Sequence, residues 1–208
     1  MSFSSFFSKQ ARKPTGLFGR FIMSTIFDKG NEDLNSFVYE LMSVQPDDQI
    51  LEIGYGTGKL INKMVQQINS GCIVGVDFSD TMISIAKKKN RKNVDKGKVK
   101  LLGGNFDEMK FENEYFTKVC SVNTLYFWPN PEHTARKITN ILKPKGKLVL
   151  AFEDIEQLEQ RNLSSDIFHL YSKDAVQDLL IAAGFSSDIR VESKKRGDSV
   201  LHCVVAIK

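Results

Sequence analysis

Three closely spaced glycines and two acids are the residues of this sequence whose types and spacing point most directly to chemistry. The glycines alternate in Glu52-Ile53-Gly54-Tyr55-Gly56-Thr57-Gly58, and Asp77 ends the next apolar run. Glycines permit a tight turn and let a ligand lie against bare backbone. The spacing differs from the G-x-G-x-x-G pattern, in which a helix N-terminus faces a pyrophosphate.

The two acids indicate what such a ligand carries. Glu52, two residues before the first glycine, would repel phosphate and attract a cation. An acid at the end of the second strand of an open sheet can accept hydrogen bonds from both ribose hydroxyls, which suits Asp77. Together with the glycines, the acids predict a site for an adenosine-containing ligand that bears an amine or another cation.

The elements that must position these residues alternate in type along the chain. Apolar runs predict buried strands at 49–53, 72–77, 99–102, 118–122 and 147–152, the last after a turn at 143–146. Apolar residues three and four apart predict helices that start near residues 31, 60, 79, 131 and 173. Two final strands, near 189–192 and 201–207, flank Arg196-Gly197-Asp198 as a hairpin. This pattern predicts an α/β fold with helices on both faces of a parallel sheet and one late antiparallel strand.

Composition excludes several classes of protein. The chain has 208 residues, of which 41% are hydrophobic and 26% charged, so disorder as the main state is excluded. No apolar run approaches the roughly 20 residues that span a bilayer, so we expect no transmembrane segment. Cys72, Cys120 and Cys203 lie far apart in apolar runs, which predicts buried reduced thiols, no metal site and a cytoplasmic location.

Two segments are unusually basic. Residues 87–100 contain eight basic residues and one acid, which is compatible with nucleic-acid binding, an anionic membrane or a solvated helix end. The first 27 residues contain four basic residues and no acid, a composition that targeting peptides share. We predict instead a helical arm or lid at 1–44, whose segment 13–17, ending at Leu17, folds over the site of a domain at 45–208.

From about residue 45 onwards the sequence resembles the class I S-adenosylmethionine-dependent methyltransferases. The motifs that carry the resemblance are residues 51–58, 75–79 with Met82, and 142–148. In detail the chain is similar to the branch that includes the ubiquinone and menaquinone biosynthesis methyltransferases. The resemblance implies S-adenosylmethionine as cofactor and a Rossmann-like seven-stranded sheet of order 3-2-1-4-5-7-6 with strand 7 antiparallel.

The resemblance also implies roles for individual residues. The glycines would shape the methionine pocket with Glu52 near its ammonium, Asp77 would hold the ribose, and Asn105 stands where the family usually has an acid that binds adenine. The cofactor contacts expected in this way are Glu52, Gly54, Tyr55, Gly56, Gly58, Asp77, Phe78, Met82, Asn105, Phe106 and Asn123.

The residues after the fourth strand are expected to border the methyl acceptor. Asn123 is followed by Thr124 and Leu125 rather than by two prolines, which disfavours N-methylation of adenine or cytosine in nucleic acid. The aromatic cluster at 126–128 suits an apolar or flat small molecule, or else packs a helix on the sheet. No catalytic residue is assigned; the candidate bases are Tyr126, His133, Glu153 and His169, with His202 a weaker one.

We therefore expect methyl transfer to a small, apolar or aromatic metabolite by in-line attack on the sulfonium methyl. Two alternatives remain at this stage: an RNA-directed methyltransferase that uses the basic segment 87–100, and a non-catalytic protein that keeps the cofactor pocket. The arm is hydrophobic enough to allow peripheral contact with a membrane surface.

Overall fold

Seven strands pair into one mixed sheet, which supplies the edge where the predicted site residues collect. The computed structural model describes residues 3–16, 18–161, 163–197 and 199–208, so Leu17 and Asp198 lie outside the described residues. The strands are β1 (Gln49–Ile53), β2 (Cys72–Asp77), β3 (Val99–Gly103), β4 (Phe116–Val122), β5 (Leu142–Glu153), β6 (Arg190–Arg196) and β7 (Ser199–Ile207).

Helices surround the sheet, and side chains cap several of their N-termini. The helices are α1 (Phe3–Arg12), α2 (Ser24–Gly30), α3 (Glu32–Met42), α4 (Lys59–Met64), α5 (Asp80–Asp95), α6 (Pro131–Ile141), α7 (Ile155–Glu159) and α8 (Lys173–Ala182), with a π-helix at Phe18–Met23. Ser79 caps α5, Asn130 caps α6 and Ser172 caps α8, each by accepting a backbone N–H in the first turn.

The strand order is β3-β2-β1-β4-β5-β7-β6, and β7 runs antiparallel to both of its neighbours. The first five strands are parallel, with Leu51 of β1 between Val74 of β2 and Val119 of β4. The expected fold is therefore confirmed. Because parallel strands end at a common edge, the last residues of β1, β2, β4 and β5 come together there.

Residues of each central strand alternate between two apolar cores. Leu51 and Ile53 pack on the side of α6 and α8, whereas Ile50 packs on the other side with Leu34 and Val38 of α3. The helix predicted to start near residue 31 is thus part of the buried structure. Of the free thiols, those of Cys120 and Cys203 are buried, but Cys72 is only partly buried.

Strand β5 differs from the sequence prediction. Strand β5 begins at Leu142, so the segment predicted as a turn is an irregularity within the strand, where Lys145 has a positive φ of 64°. The register shifts there, with Phe116 opposite Leu142 and Lys118 opposite Lys147. Pro144 and Gly146 interrupt the hydrogen bonding of β5 without ending the strand, because the apolar Leu142 that precedes them is fully buried.

Helix α4 is shorter than its apolar spacing suggests, and α7 was not predicted. Helix α4 ends at Met64, although Ile68 is buried as the predicted helical face requires. The backbone N–H groups of residues 69–71 all donate to the Pro46 carbonyl, which turns the chain back towards β2. No helix in the described part of the chain is long and apolar enough to cross a bilayer.

A buried ion pair fastens the start of β1 to β4. The Asp48 carboxylate lies 2.6 Å from Lys118 Nζ and accepts hydrogen bonds from the Thr117 hydroxyl at 2.7 Å and the Gln45 N–H at 2.7 Å. Both charged side chains are largely buried, Asp48 at 7% and Lys118 at 12% exposure. Removing one partner of such a pair leaves the other charge buried without compensation.

We expect Asp48→Ala to lower the free energy of unfolding by about 3 kcal/mol, because the Lys118 ammonium would lose its counter-charge. Urea denaturation followed by Trp128 fluorescence measures the change. Asp95→Ala is the matched control, since Asp95 pairs with Arg91 on the exposed surface of α5 and such pairs contribute little. Equal losses in the two variants would contradict the structural role of Asp48.

Candidate functional site

The glycine turn after β1 is shaped by backbone that other residues could not adopt. Gly54 has a φ of +73°, its N–H donates to the Val76 carbonyl at 2.7 Å, and a β-carbon there would collide with the Thr124 methyl group. The Gly56 N–H donates to Asp77 Oδ2 at 2.8 Å. The turn is therefore tied to the end of β2, and its bare backbone faces open space.

Gly58 differs in placement from the other two glycines. It is the N-cap of α4 with a φ of +71°, and it does not line the cavity described below. A β-carbon at Gly58 would lie 2.9 Å from the Ala86 β-carbon and 2.7 Å from Asn90 Nδ2. Its glycine character is thus explained by the close approach of α4 to α5.

Two buried carboxylates stand at the ends of β1 and β2. Glu52 is 3% exposed, and its Oε2 atom has no hydrogen-bond partner among the described residues. Burial, and then the nearby charge of Asp77, raises the pKa of Glu52 to about 8. Burial also raises the pKa of Asp77 to about 6, against hydrogen bonds from the backbone of Ser79, Gly56 and Phe78 that lower it.

A cavity of about 350 Å³ opens at this edge of the sheet. All the predicted cofactor residues except Gly58 line it: Glu52, Gly54, Tyr55, Gly56, Asp77, Phe78, Met82, Asn105, Phe106 and Asn123. This volume falls in the usual range of small-molecule sites. The structure thus brings residues from four separate parts of the sequence to one chamber.

Asn105 sits on the wall with its side chain already engaged. Its Oδ1 accepts the Asp107 N–H at 3.2 Å and its Nδ2 donates to Glu108 at 3.1 Å, which caps a short 3-10 turn at Phe106–Glu108. An amide oxygen has two lone pairs, so Oδ1 can accept a further hydrogen bond from a ligand.

The far end of the cavity is aromatic. The ring of Phe168 lies 4.8 Å from that of Phe127 and 5.9 Å from that of Tyr126, measured between centroids. Trp128 also lines the cavity, and its Nε1 donates to Thr124 Oγ1 at 3.3 Å. These side chains belong to the apolar core as well, so the packing interpretation of the 126–128 cluster is confirmed, and its contact with an acceptor stays a prediction.

The candidate bases fall into two groups. Tyr126 and Glu153 line the cavity, whereas His133 and His169 are exposed and lie outside its wall. The Tyr126 hydroxyl accepts the Glu153 N–H at 2.6 Å, and burial raises the pKa of this phenol above its ordinary value. His202 is buried in the sheet, bonded to Ser193 and Asp154.

The N-terminal residues form the remaining wall. The Ser79 hydroxyl donates to the Pro14 carbonyl at 2.7 Å, and Asn123 Nδ2 donates to Asn31 Oδ1 at 2.9 Å. Both bonds join the N-terminal segments directly to residues beside the glycine turn. Across the described ranges, no three His, Cys, Asp or Glu side chains converge to hold a metal ion.

Comparison with known proteins shows which family the sequence is similar to. A family model for a methyltransferase domain matches residues 51–150. The uncharacterized methyltransferase YdaC of Bacillus subtilis is 26% identical over 178 residues, which cover 86% of this chain and 93% of YdaC. The demethylmenaquinone methyltransferase of Bacillus cereus strain B4264 is 33% identical over 110 residues.

The fold agrees with a solved structure of the same kind. Phosphoethanolamine N-methyltransferase 2 of Haemonchus contortus, in complex with S-adenosylmethionine, superposes with a TM-score of 0.77 at 18% identity, covering 98% of this chain and 60% of that one. The chain belongs to the class I S-adenosylmethionine-dependent methyltransferases. S-adenosylmethionine is the methyl donor of this class and hence the cofactor of this chain.

The extent of the match differs between these two relatives. The alignment with the B. cereus enzyme covers 52% of this chain and 46% of that enzyme, so the chain spans about half the length of this relative. The match to YdaC, by contrast, extends over nearly the whole of both proteins.

Two residues beside the site were missed at the level of sequence. Asp28 of α2 bonds to the Thr57 hydroxyl within the glycine turn and pairs with Lys89 of α5 at 3.1 Å. Lys137 Nζ donates to the carbonyls of Phe106 and Met109, each at 2.5 Å, and so holds the 3-10 turn beside Asn105. Asp28 had one available signal, since it is the first acid of the chain.

Glu52 of this methyltransferase is expected to make stability fall with rising pH. Its pKa is about 8 in the folded protein against an ordinary 4.5, so the folded state holds a proton that the unfolded state releases. Stability then declines as pH rises, by up to about 1.4 kcal/mol per pH unit. Asp77 is half ionised at a pH of about 6 and largely ionised by about 7, so from about 7 to about 8 Glu52 dominates this decline.

Urea unfolding of the wild type, Glu52→Gln and Glu112→Gln at both ends of that pH interval tests this expectation. Glu52→Gln cannot ionise and should flatten the pH dependence, while Glu112→Gln, at an exposed position, should keep it. Parallel slopes in all three proteins would show that Glu52 does not hold the proton.

Proposed function

We propose that this methyltransferase transfers the methyl group of S-adenosylmethionine to a small metabolite that is largely apolar or aromatic. The observation that carries the proposal is the single cavity, which joins the glycine turn and its two acids to the aromatic side chains beyond β4. A donor and an acceptor bound at its two ends would share one chamber. Such sharing turns a bimolecular encounter into a reaction between neighbours.

The residues at the acidic end fit the cofactor. Glu52 Oε2 is buried and has no hydrogen-bond partner among the described residues. Because buried polar atoms normally have a partner, this oxygen is suited to accept a hydrogen bond from the ammonium group of the cofactor. Asp77 receives two backbone N–H bonds that aim its carboxylate and leave lone pairs for ribose hydroxyls. Phe78, Met82 and Phe106 supply an apolar slot for adenine, with the Asn105 oxygen at its edge.

When bound, S-adenosylmethionine supplies a sulfonium-bound methyl group that an acceptor nucleophile attacks in line. The protein's own residues orient the acceptor and exclude water. Phe127 and Phe168 offer apolar faces to a flat molecule, and the N-terminal segment around Pro14 acts as a lid over the cavity. Exclusion of water strengthens every electrostatic contact inside.

We propose Glu153 as the residue that accepts a proton from an acceptor that must lose one. Glu153 lines the cavity at the carboxyl end of β5, and its carboxylate pairs with Arg161. The neighbouring Tyr126 hydroxyl is fixed by its bond from the Glu153 N–H, so tyrosine acts here as a positioning residue. Burial favours the neutral phenol, which suits a hydrogen-bond donor more than a base.

The relatives support the class of acceptor and leave its identity open to experiment. The B. cereus relative is named for demethylmenaquinone, a small molecule. Because the alignment spans about half of that enzyme, the proposal extends to the class of small acceptors and does not include that particular quinone.

Binding of S-adenosylhomocysteine tests the cofactor end. We expect Asp77→Ala to weaken binding at least about tenfold, because the carboxylate both orients the Gly56 N–H and offers acceptors to the ribose. Isothermal titration calorimetry measures the affinity. Asp80→Ala, which removes an exposed carboxylate in the first turn of α5, is the matched control and should bind as the wild type does. An unchanged affinity for Asp77→Ala would contradict the assignment.

Transfer of label tests the acceptor class. Incubation with S-adenosylmethionine labelled in its methyl group and with fractionated metabolite extract should move label into a small molecule that partitions into organic solvent. Asp77→Ala should lose this transfer, and Asp80→Ala should keep it. Label that appears only in RNA or protein would overturn the proposal, as would tight cofactor binding without transfer to any fraction.

A further inference from the structure

Helix α1 turns Phe7 and Ala11 towards the cavity but leaves another aromatic side chain uncovered. Its polar residues Ser8 and Gln10 are buried, at 0% and 8% exposure, whereas Phe6 is 36% exposed and Lys9 points to solvent. The Ser164 N–H donates to the Ser8 hydroxyl at 3.1 Å, which explains why this face is inward. A surface helix of a protein in water places its large apolar side chains inward, and Phe6 departs from this pattern.

The exposed apolar side chains continue as a stripe onto the next helical segment. The ring of Phe6 meets that of Phe18 at 5.1 Å between centroids, and Ile22 and Ile26 follow four and eight residues later, on the same helical face. Ile22 is 46% exposed and Ile26 41%. Together Phe6, Phe18, Ile22 and Ile26 form the arm stripe, which reaches the cavity because Ile26 lines its rim.

Basic residues surround the arm stripe. Lys9, Arg12, Lys13 and Lys29 of the arm are exposed, and the arm has no acid before Asp28, whose charge is paired with Lys89. That ion pair places the basic end of α5 beside the arm, where Lys87, Lys88 and Lys92 are also exposed. The basic segment 87–100, which the methyl-transfer site does not use, therefore adds to the same surface.

We propose that the arm stripe and the basic residues around it dock the protein on an anionic lipid bilayer. An apolar strip inserted at the headgroup level, with lysines beside it, is the pattern by which interfacial helices bind such membranes. The exposed apolar side chains favour a bilayer over RNA, and the density of positive charge opposes a second copy of this chain on the same face. Docking would set the rim of the cavity at the lipid surface, from which an apolar acceptor could enter.

Cosedimentation with vesicles tests the proposal. We expect the wild type to bind vesicles of phosphatidylcholine with phosphatidylglycerol, to release them as salt is raised, and to bind phosphatidylcholine alone poorly. Ile22→Ser should lower the partition coefficient about fivefold, because a side chain that inserts into lipid is lost. Ile181→Ser is the matched control, since Ile181 on α8 is 45% exposed and away from the arm. It should bind as the wild type does.

A charge variant tests the electrostatic part. Lys9→Gln and Lys88→Gln should each lower the partition coefficient about fivefold at low salt, as expected for a basic residue near an anionic surface. Lys143→Gln, exposed at the start of β5 and therefore at the opposite end of that strand from the cavity, is the control and should have no effect. Circular dichroism establishes that each variant is folded, and neither Ile22 nor Lys88 lines the cavity.

Three results would overturn the proposal. The first is equal binding of Ile22→Ser and Ile181→Ser, which would leave the arm stripe without a role. The second is a dimer in light scattering that Ile22→Ser abolishes, in the absence of vesicle binding, which would assign the stripe to a second copy. The third is salt-dependent binding of single-stranded RNA, lost in Lys88→Gln, by a protein that ignores vesicles.

Discussion

Burial of two carboxylates side by side is the constraint on which the rest of this site depends. Glu52 and Asp77 lie at the ends of neighbouring parallel strands, where low polarity and mutual repulsion oppose two negative charges. Asp77 is compensated by backbone N–H groups from the glycine turn and from Ser79. Glu52 is not compensated within the described residues. The unpartnered Glu52 oxygen is therefore the feature on which the proposed binding of an ammonium group rests.

The glycine turn follows from the same constraint. A side chain at Gly54 would meet Thr124 from β4, and the N–H of Gly56 must point at Asp77 to stabilise its charge. The turn thus serves two strands at once, and its bare backbone leaves the space that a nucleoside would fill. The turn after β3 is held in a comparable way, because the Lys137 ammonium donates hydrogen bonds to three of its carbonyl groups.

Charged and aromatic side chains occupy different parts of the cavity and its surroundings. Glu52 and Asp77 lie at the ends of β1 and β2, aromatic side chains line the end beyond β4, and further basic residues are exposed on the arm and on α5. Asp28 connects the cavity to the basic surface of α5, because it contacts Thr57 in the glycine turn and Lys89 of α5. The arm is consequently joined both to the cofactor end and to the surface that we propose to meet lipid.

The sequence by itself determined the sheet, the helices on its two faces and the glycine turn with its two acids. Those features depend on local periodicity and on short-range spacing, as at residues 49–58 and at the Ser79 cap. Only the tertiary structure decided that Gly58 packs α4 on α5, that His133 and His169 lie away from the cavity, and that α1 buries Ser8 and exposes Phe6. These facts depend on contacts between residues distant in the chain, such as Gly58 with Asn90 or Ser8 with Ser164. A local pattern indicates which face of an element is apolar. Whether another element covers that face depends on how the whole chain packs.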